Sequence, residues 1–332
     1  MHELAFPLLI GLIALALAFD FLNGLHDAAN SIATVVSTRL LSPAWAVGFA
    51  ALGNFGAYWL VGLHVAETVG KGIIDKDVVT PAVVFGALVG AMFWNVVTWL
   101  KGIPSSSSHA LIGGLLGAGV CHAGFGAVES SGTVKTISAI FLSPMIGFAL
   151  AMAMMLLTSW LFRGFQPRRA EGWFKALHLC SSAAYSISHG GNDAQKTMGI
   201  ITVLLYSTGY LHGEFHVPEW VVLSCYAAIA MGTLSGGWKI IKTMGNKLTR
   251  LNHHSGFCAS TAGSIVVFGA SAMGIPVSTT HAITGSVIGT GTARRASSVR
   301  WGVAANVVVA WFVTIPASAA VGAAFYLLTR LF

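Results

Sequence analysis

Charge is what this chain has least of. Of 332 residues, 18 are Lys or Arg and 11 are Asp or Glu, so 9% are charged while 55% are apolar. A water-soluble domain carries about 25% charged residues, and such a shortage is sustainable only where lipid is the solvent. The alternating pattern of an outer-membrane barrel strand is missing, so the apolar runs read as helices. Cysteine is also scarce. Cys121, Cys180, Cys225 and Cys258 are scattered without metal-ligand spacing or a disulfide framework, and read as small packing residues. Met1-His2-Glu3 lacks the positive n-region of a cleavable signal, which makes the first apolar run a retained helix. The net charge of +7 comes from basic residues dispersed between apolar runs. That distribution argues against nucleic acid as a partner and matches loops obeying the positive-inside rule.

What the chain does have is a series of long apolar runs: Leu4–Phe19, Ala44–Leu63, Val78–Leu100, Ile137–Phe162, Pro218–Met231, Phe257–Met273 and Val303–Leu328. A helical crossing needs roughly 20 such residues, and a lipid bilayer is the surrounding these runs call for. The chain also contains itself twice. Gly102-Ile-Pro-Ser-Ser-Ser-Ser-His109 matches Gly274-Ile-Pro-Val-Ser-Thr-Thr-His281 at an offset of 172. Asn23-Gly-Leu-His-Asp27-Ala-Ala-Asn30 parallels His189-Gly-Gly-Asn-Asp193-Ala-Gln-Lys196 at an offset of 166. Pro144 and Pro316 form a weaker third pair. Ordered matches at nearly constant offset indicate duplication.

The expected organisation is a first transmembrane repeat over 1–162, a cytoplasmic linker over 163–175, and a second repeat over 176–332. Five apolar segments precede the linker, counting Pro104–Phe125 as the fourth, and an odd number turns the second repeat upside down. The basic residues agree. Arg39, Arg163, Arg168, Arg169, Lys175, Lys239, Lys242, Lys247, Arg250, Arg294, Arg295 and Arg300 fall on one side, read as cytoplasmic. The opposite loops hold Lys71, Lys76, Lys135 and most carboxylates, including Glu67, Asp75, Asp77, Glu129, Glu214 and Glu219. The fold class expected is therefore an all-α membrane protein of two inverted-topology repeats, a recurring plan of secondary transporters.

Two constellations carry chemistry. Asp27 and Asp193 occupy matching positions beside glycines and the amides Asn30 and Asn192. An intramembrane carboxylate costs about 2.5–3.5 kcal/mol on insertion scales and marks a functional pathway. The glycines read as places where the helix can open and free carbonyls for a cation. Asp20 has no counterpart in the second half and reads as structural or peripheral. The hydroxyl runs Ser105, Ser106, Ser107, Ser108 and Ser278, Thr279, Thr280 follow Gly-Ile-Pro or Gly-Ile-Pro-Val, and read as two helix starts. Helix N-termini bind anions through unpaired N–H groups and the helix dipole. His109 and His281 end these runs, placed either to brace a hairpin or to handle protons. Carboxylates in an anion site require a neutralising cation or a ligand that donates a proton. Hydrogen phosphate has that proton and sulfate at neutral pH does not, so the balance leans to phosphate. Two membrane aspartates also admit another class, an intramembrane aspartyl protease, which leaves the duplicated hydroxyl runs without a role.

These motifs, with Ser235-Gly-Gly-Trp-Lys239, resemble the inorganic phosphate transporter family across both halves of the chain. The resemblance implies broken helices and paired re-entrant hairpins carrying Ser105–Ser108 and Ser278–Thr280 to the midplane. It implies no enzyme activity and no cofactor beyond a coupling cation, proton or sodium. The substrate implied is inorganic phosphate, carried free or as a metal–phosphate complex, with sulfate as the alternative. A homodimer in the cell membrane is implied as well, the inner membrane if the cell is Gram-negative. His26 stands where many relatives have Asn, and no long hydrophilic insert separates the repeats.

Overall fold

Every apolar run is helical over most of its described length, and the two halves produce the same series of elements. The computed structural model describes residues 6–75, 78–211 and 214–331; Lys76 and Asp77, assigned above to an outer loop, lie outside them. The first repeat comprises α1 (Phe6–Ser37), α2 (Pro43–Gly56), α3 (His64–Lys71), α4 (Pro81–Lys101), α5 (Ser107–Ala123) and α6 (Ser130–Leu161). The second comprises α7 (Pro167–Ser207), α8 (Glu219–Ser235), α9 (Trp238–Lys242), α10 (His253–Ala272), α11 (Thr279–Arg294) and α12 (Trp301–Leu328). Among the described residues there is no strand, only an isolated bridge between Ile74 and Val128. Five single helices are long and apolar enough to cross a membrane, and seven spans result if two bent pairs each count as one. The 41-residue α7 is outside that set. It carries the polar site residues and is sheathed by α1, α2, α3, α8 and α10.

Three readings of the sequence need correction. The segment 163–175 is not a loop throughout, because α7 starts at Pro167, whose fixed φ suits a first helical turn. Glu171 and Lys175 then pair across one turn at 3.1 Å. The glycines beside Asp27 and Asp193 do not open their helices, since α1 and α7 run unbroken through both positions. They admit neighbouring backbones instead: a Cβ at Gly24 would collide with the Ile229 carbonyl, and one at Gly190 with the backbone of Asn54. His253 and His254 are not simply solvated. His254 Nε2 lies 2.5 Å from Thr158 Oγ1, and its ring stacks on Phe174 at 4.2 Å.

The broken helices are the second of each repeat. α2 and α3 are bent by 85° and α8 and α9 by 63°. The first break is stabilised from α7, where Gln195 accepts from the N–H groups of Val65 (3.0 Å) and Ala66 (3.2 Å) and donates to the Gly62 carbonyl (2.7 Å). The amide thus satisfies groups that a broken helix would leave bare inside a membrane. The second break falls at Gly236, with φ of +67°.

α4 and α5 form a helical hairpin, as do α10 and α11, each turning at a left-handed glycine, Gly102 (φ +65°) and Gly274 (φ +66°). The short halves of the broken helices cover the opposite hairpin's turn. Lys239 of α9 donates to the Leu100 carbonyl at 3.1 Å and the nearby Thr243 hydroxyl to the Gly102 carbonyl at 2.9 Å, while α3 lies against Gly274. The hairpins are exchanged between repeats: α4 and α5 pack on α12, and α10 and α11 pack on α6. Glycines make these contacts close, as at Gly117 against Ala319 and Gly289 against Phe148. α1 and α7 touch both bundles, and α2 and α8 pack on α1 and α7.

The charge asymmetry gives a direct test of orientation. Gln166, Asn246 and Glu214 are exposed, so single cysteines there on a cysteine-free background are accessible to an impermeant thiol reagent. Gln166→Cys and Asn246→Cys are expected to label from the cytoplasmic side and Glu214→Cys from outside. Labelling of all three from one side contradicts the inverted arrangement.

Candidate functional site

The site is where α1, α7 and the two hairpins meet. Among the described residues the only buried Asp, Glu, Lys or Arg side chains are Asp20, Asp27, Asp193 and Lys196. Two helix starts are aimed at them. Ser106 caps α5 by accepting from the His109 N–H, and Ser278 caps α11 by accepting from the His281 N–H, each at 3.2 Å. With the cap residues engaged in this way, the next hydroxyls face the carboxylates. Ser107 donates to Asp27 Oδ2 at 2.8 Å, and Thr279 donates to Asp193 Oδ2 at 3.0 Å. Ser107 and Thr279 correspond at the repeat offset, as do Asp27 and Asp193, so these bonds are one interaction made twice.

A second duplicated contact crosses between repeats. Asn30 Nδ2 donates to Thr280 Oγ1 at 2.9 Å. At the matching position of the second repeat stands Lys196, and its ammonium reaches the corresponding Ser108 hydroxyl. Lys196 also binds the Asp193 carboxylate and the Val277 carbonyl, the latter at 2.9 Å. The two half-sites are therefore alike in geometry and unlike in charge. Tyr185 supports the α11 start by donating to the Thr279 carbonyl at 2.9 Å.

One atom from each of Asp27, His189 and Asp193 fits within a common 4.8 Å, a spacing that suits a shared cation. His26 Nδ1 donates to Asp27 Oδ1 at 2.7 Å, and His189 Nε2 lies 3.2 Å from Asp193 Oδ2. The buried carbonyl oxygens of Asn30 and Asn192 have no donor, as acceptors facing a cation would. Asn192 is turned by its Nδ2, which donates to Ser271 at 2.8 Å.

The residues singled out in the sequence thus separate by position. Asp27, Asp193, Ser107, Ser108, Thr279, Thr280 and Asn30 converge. Ser106 and Ser278 are caps. Ser105 donates to Thr98 at 2.9 Å inside its own hairpin. His109 and His281 pack edge to face at 4.4 Å between ring centres, His281 also stacking on Trp311 at 3.8 Å, with no hydrogen bond to either aspartate. Sequence reasoning treated Lys196 only as a neighbour able to pair with Asp193, and left His189 undecided. The signal for both was their place inside the duplicated motif.

Such a fold is that of an integral-membrane carrier: two repeats, paired helix hairpins, and a buried cluster of carboxylates, hydroxyls and amides where they meet. The comparisons agree. The model of the phosphate transporter family matches residues 23–168 and 163–322. A probable low-affinity inorganic phosphate transporter of Rhizobium meliloti (strain 1021) is 61% identical over 97% of both chains. One of Bacillus subtilis (strain 168) is 41% identical over 98% of both. A solved structure described as the sodium-dependent phosphate transporter superposes with a TM-score of 0.91 at 26% identity, covering 98% of this chain and 100% of that one. The chain belongs to the phosphate transporter family, and is a multi-pass membrane protein and not an enzyme.

Lys196 makes the stability of the site testable. Removing one partner of a buried ion pair typically costs about 3–5 kcal/mol. Asp193→Asn is expected to lower stability by roughly that amount in thermal unfolding of the detergent-solubilised protein, and Asp193→Asn/Lys196→Gln to recover most of it. Equal stability of the single and double variants would show that the pair is not buried as described.

Proposed function

We propose that this protein is a secondary active symporter of inorganic phosphate, driven by a proton or sodium gradient. The observation carrying the reading is the duplicated hydrogen bond from a helix-start hydroxyl to a buried carboxylate, Ser107 to Asp27 and Thr279 to Asp193. The helix starts offer N–H groups and hydroxyls to an anion, while the carboxylates require a cation before that anion can approach. The P–OH of hydrogen phosphate adds a donor that sulfate lacks. Lys196 gives Asp193 a fixed countercharge, which leaves Asp27, assisted by His189 and Asp193, as the seat of the mobile cation. Asn30 and Asn192 supply neutral oxygens to it. Ser108 and Thr280 complete the anion's surroundings, and Ser105, Ser106 and Ser278 shape the hairpin starts. His109 and His281 brace the two hairpins against each other.

The same reading places the chain in the cell membrane, the inner one if the organism is Gram-negative, and takes phosphate free or as a metal–phosphate complex. A homodimer suits the broad apolar surface that α6 and α12 leave exposed, including Phe141 and Phe312.

Labelled phosphate uptake into proteoliposomes, under separately imposed proton and sodium gradients with sulfate as competitor, tests this. Asp27→Asn keeps the shape of the side chain and removes its charge. It is expected to reduce gradient-driven accumulation by roughly tenfold or more, within the usual range of coupling between sites, while expression is unchanged. Ser107→Ala with Thr279→Ala is expected to weaken phosphate binding by about one to three kcal/mol for the lost hydrogen bonds. Wild-type accumulation by Asp27→Asn would reduce the aspartate to a structural role.

A further inference from the structure

Asp20 is the buried carboxylate that the central site leaves unused. It lies two helical turns before Asp27 on α1, a rise of about 10 Å, toward the end at which that helix begins. Asn23 stands between the two on the same helix face, its side-chain amide 2.6 Å from the Ser107 hydroxyl. Asp20 has no accessible surface. Neither of its carboxylate oxygens has a hydrogen-bond partner among the described residues. Thr197 and Asn23 are the polar side chains beside it, and among the described residues the Thr197 hydroxyl makes no close hydrogen bond of its own. From α8 it is faced by Cys225 and by Tyr226, whose hydroxyl is also unpartnered. The charged groups acting on it from α7 are Asp193, which repels it, and Lys196, which attracts it.

An ionised carboxylate cannot rest in a membrane interior without a bound cation or strong hydrogen bonds. A metal cation gathers a shell of ligands, and among the described residues Asp20 stands outside the one His and carboxylate cluster close enough to share an ion. A proton needs one carboxylate oxygen and no cavity, and it replaces the buried charge with a neutral O–H beside the Thr197 hydroxyl. Charge counting points the same way. Before any histidine is counted, three buried carboxylates face one ammonium, so an arriving phosphate would add to an existing negative excess.

We propose that Asp20 is a proton-binding site of the transport cycle, loaded from the side on which α1 begins and emptied as the central site empties. This rests on the cation-coupled phosphate reading above. The step is simple: a proton from water on that side bonds to one Asp20 oxygen, and the same proton returns to water on the other side.

The test uses the full-length protein in proteoliposomes that are sodium-free except in a parallel arm with an imposed sodium gradient and no pH gradient. Uptake driven by a pH gradient, the pH dependence of phosphate counterflow, and the infrared band of a protonated carboxylic acid are measured for wild type, Asp20→Asn and Asp20→Glu. In Asp20→Asn, accumulation is expected to fall by roughly tenfold or more, counterflow to lose its pH dependence, and the acid band to vanish. Asp20→Glu is expected to retain proton-driven uptake with a displaced pH midpoint. Wild-type accumulation by Asp20→Asn, or an acid band that survives in it, overturns the proposal. Should Asp20→Asn fail to fold, an unmoved midpoint in Asp20→Glu overturns it instead. A wild type that carries phosphate on sodium alone, with no acid band, defeats the Asp20 assignment and leaves the phosphate reading standing. A wild type that carries no phosphate defeats that reading, and the infrared band then decides Asp20 alone.

Discussion

Three carboxylates held inside a membrane protein against a single ammonium set the terms for everything around them. Asp20, Asp27 and Asp193 are buried together with Lys196, and the penalty for an uncompensated intramembrane charge makes their environment the least negotiable part of the fold. Two of the carboxylates receive hydroxyl donors from helix starts, and those starts are delivered by hairpins whose turns need left-handed glycines. The hairpin turns in turn lie under α9 and α3, the short halves of the broken helices. The breaks, the glycines and the hydroxyls are therefore consequences of one electrostatic requirement, met twice because the chain repeats.

The repeat is not perfect, and the imperfection is informative. Asn30 and Lys196 occupy matching positions and reach matching hydroxyls, Thr280 and Ser108. An amide contributes dipoles, whereas an ammonium contributes a whole charge on a flexible stem. Asp193 is thus compensated within the chain, and Asp27 is assisted only by His26, hydroxyls and a distant share of His189. A symmetric centre would present an entering cation with two equal choices. This one presents a preference, and the preference is written in one substitution between copies.

Much of this was legible in the sequence because the repeat amplifies it. A single Ser-rich run or a single membrane aspartate admits several readings, but each recurred at a fixed offset, and both sets meet in space. The hairpins and the inverted plan came from the resemblance and from counting segments. What the sequence did not reveal depends on contacts between distant segments. Gly24 and Gly190 looked like helix breakers, and nothing local says that Ile229 and Asn54 press against them. Gln195 looked like an ordinary motif residue, yet it caps α3 across 130 positions of sequence. Asp20, lacking a counterpart in the other repeat, fell outside the very signal that found the rest.

The exchange of hairpins between repeats bears on how such a centre can be reached from two sides. α4 and α5 are close-packed on α12 and α11 on α6, while α10 packs chiefly on α7. The site is completed where the hairpin starts touch α1 and α7, through Ser107 to Asp27, Thr279 to Asp193, Asn30 to Thr280 and Lys196 to Ser108. These ties of α5 and α11 are polar and short-range, while the contacts of α5 on α12 and of α11 on α6 are extensive and built on glycine-to-backbone packing. A rigid-body displacement of one bundle would therefore break the site's ties before it broke the bundle. Two bundles related by an axis in the membrane plane give two such displacements of opposite sense, as alternating access through inverted repeats requires. The unbroken α1 and α7 fit this division. Both aspartates and Lys196 lie on these continuous helices, and the hydroxyls that meet them lie on the hairpins.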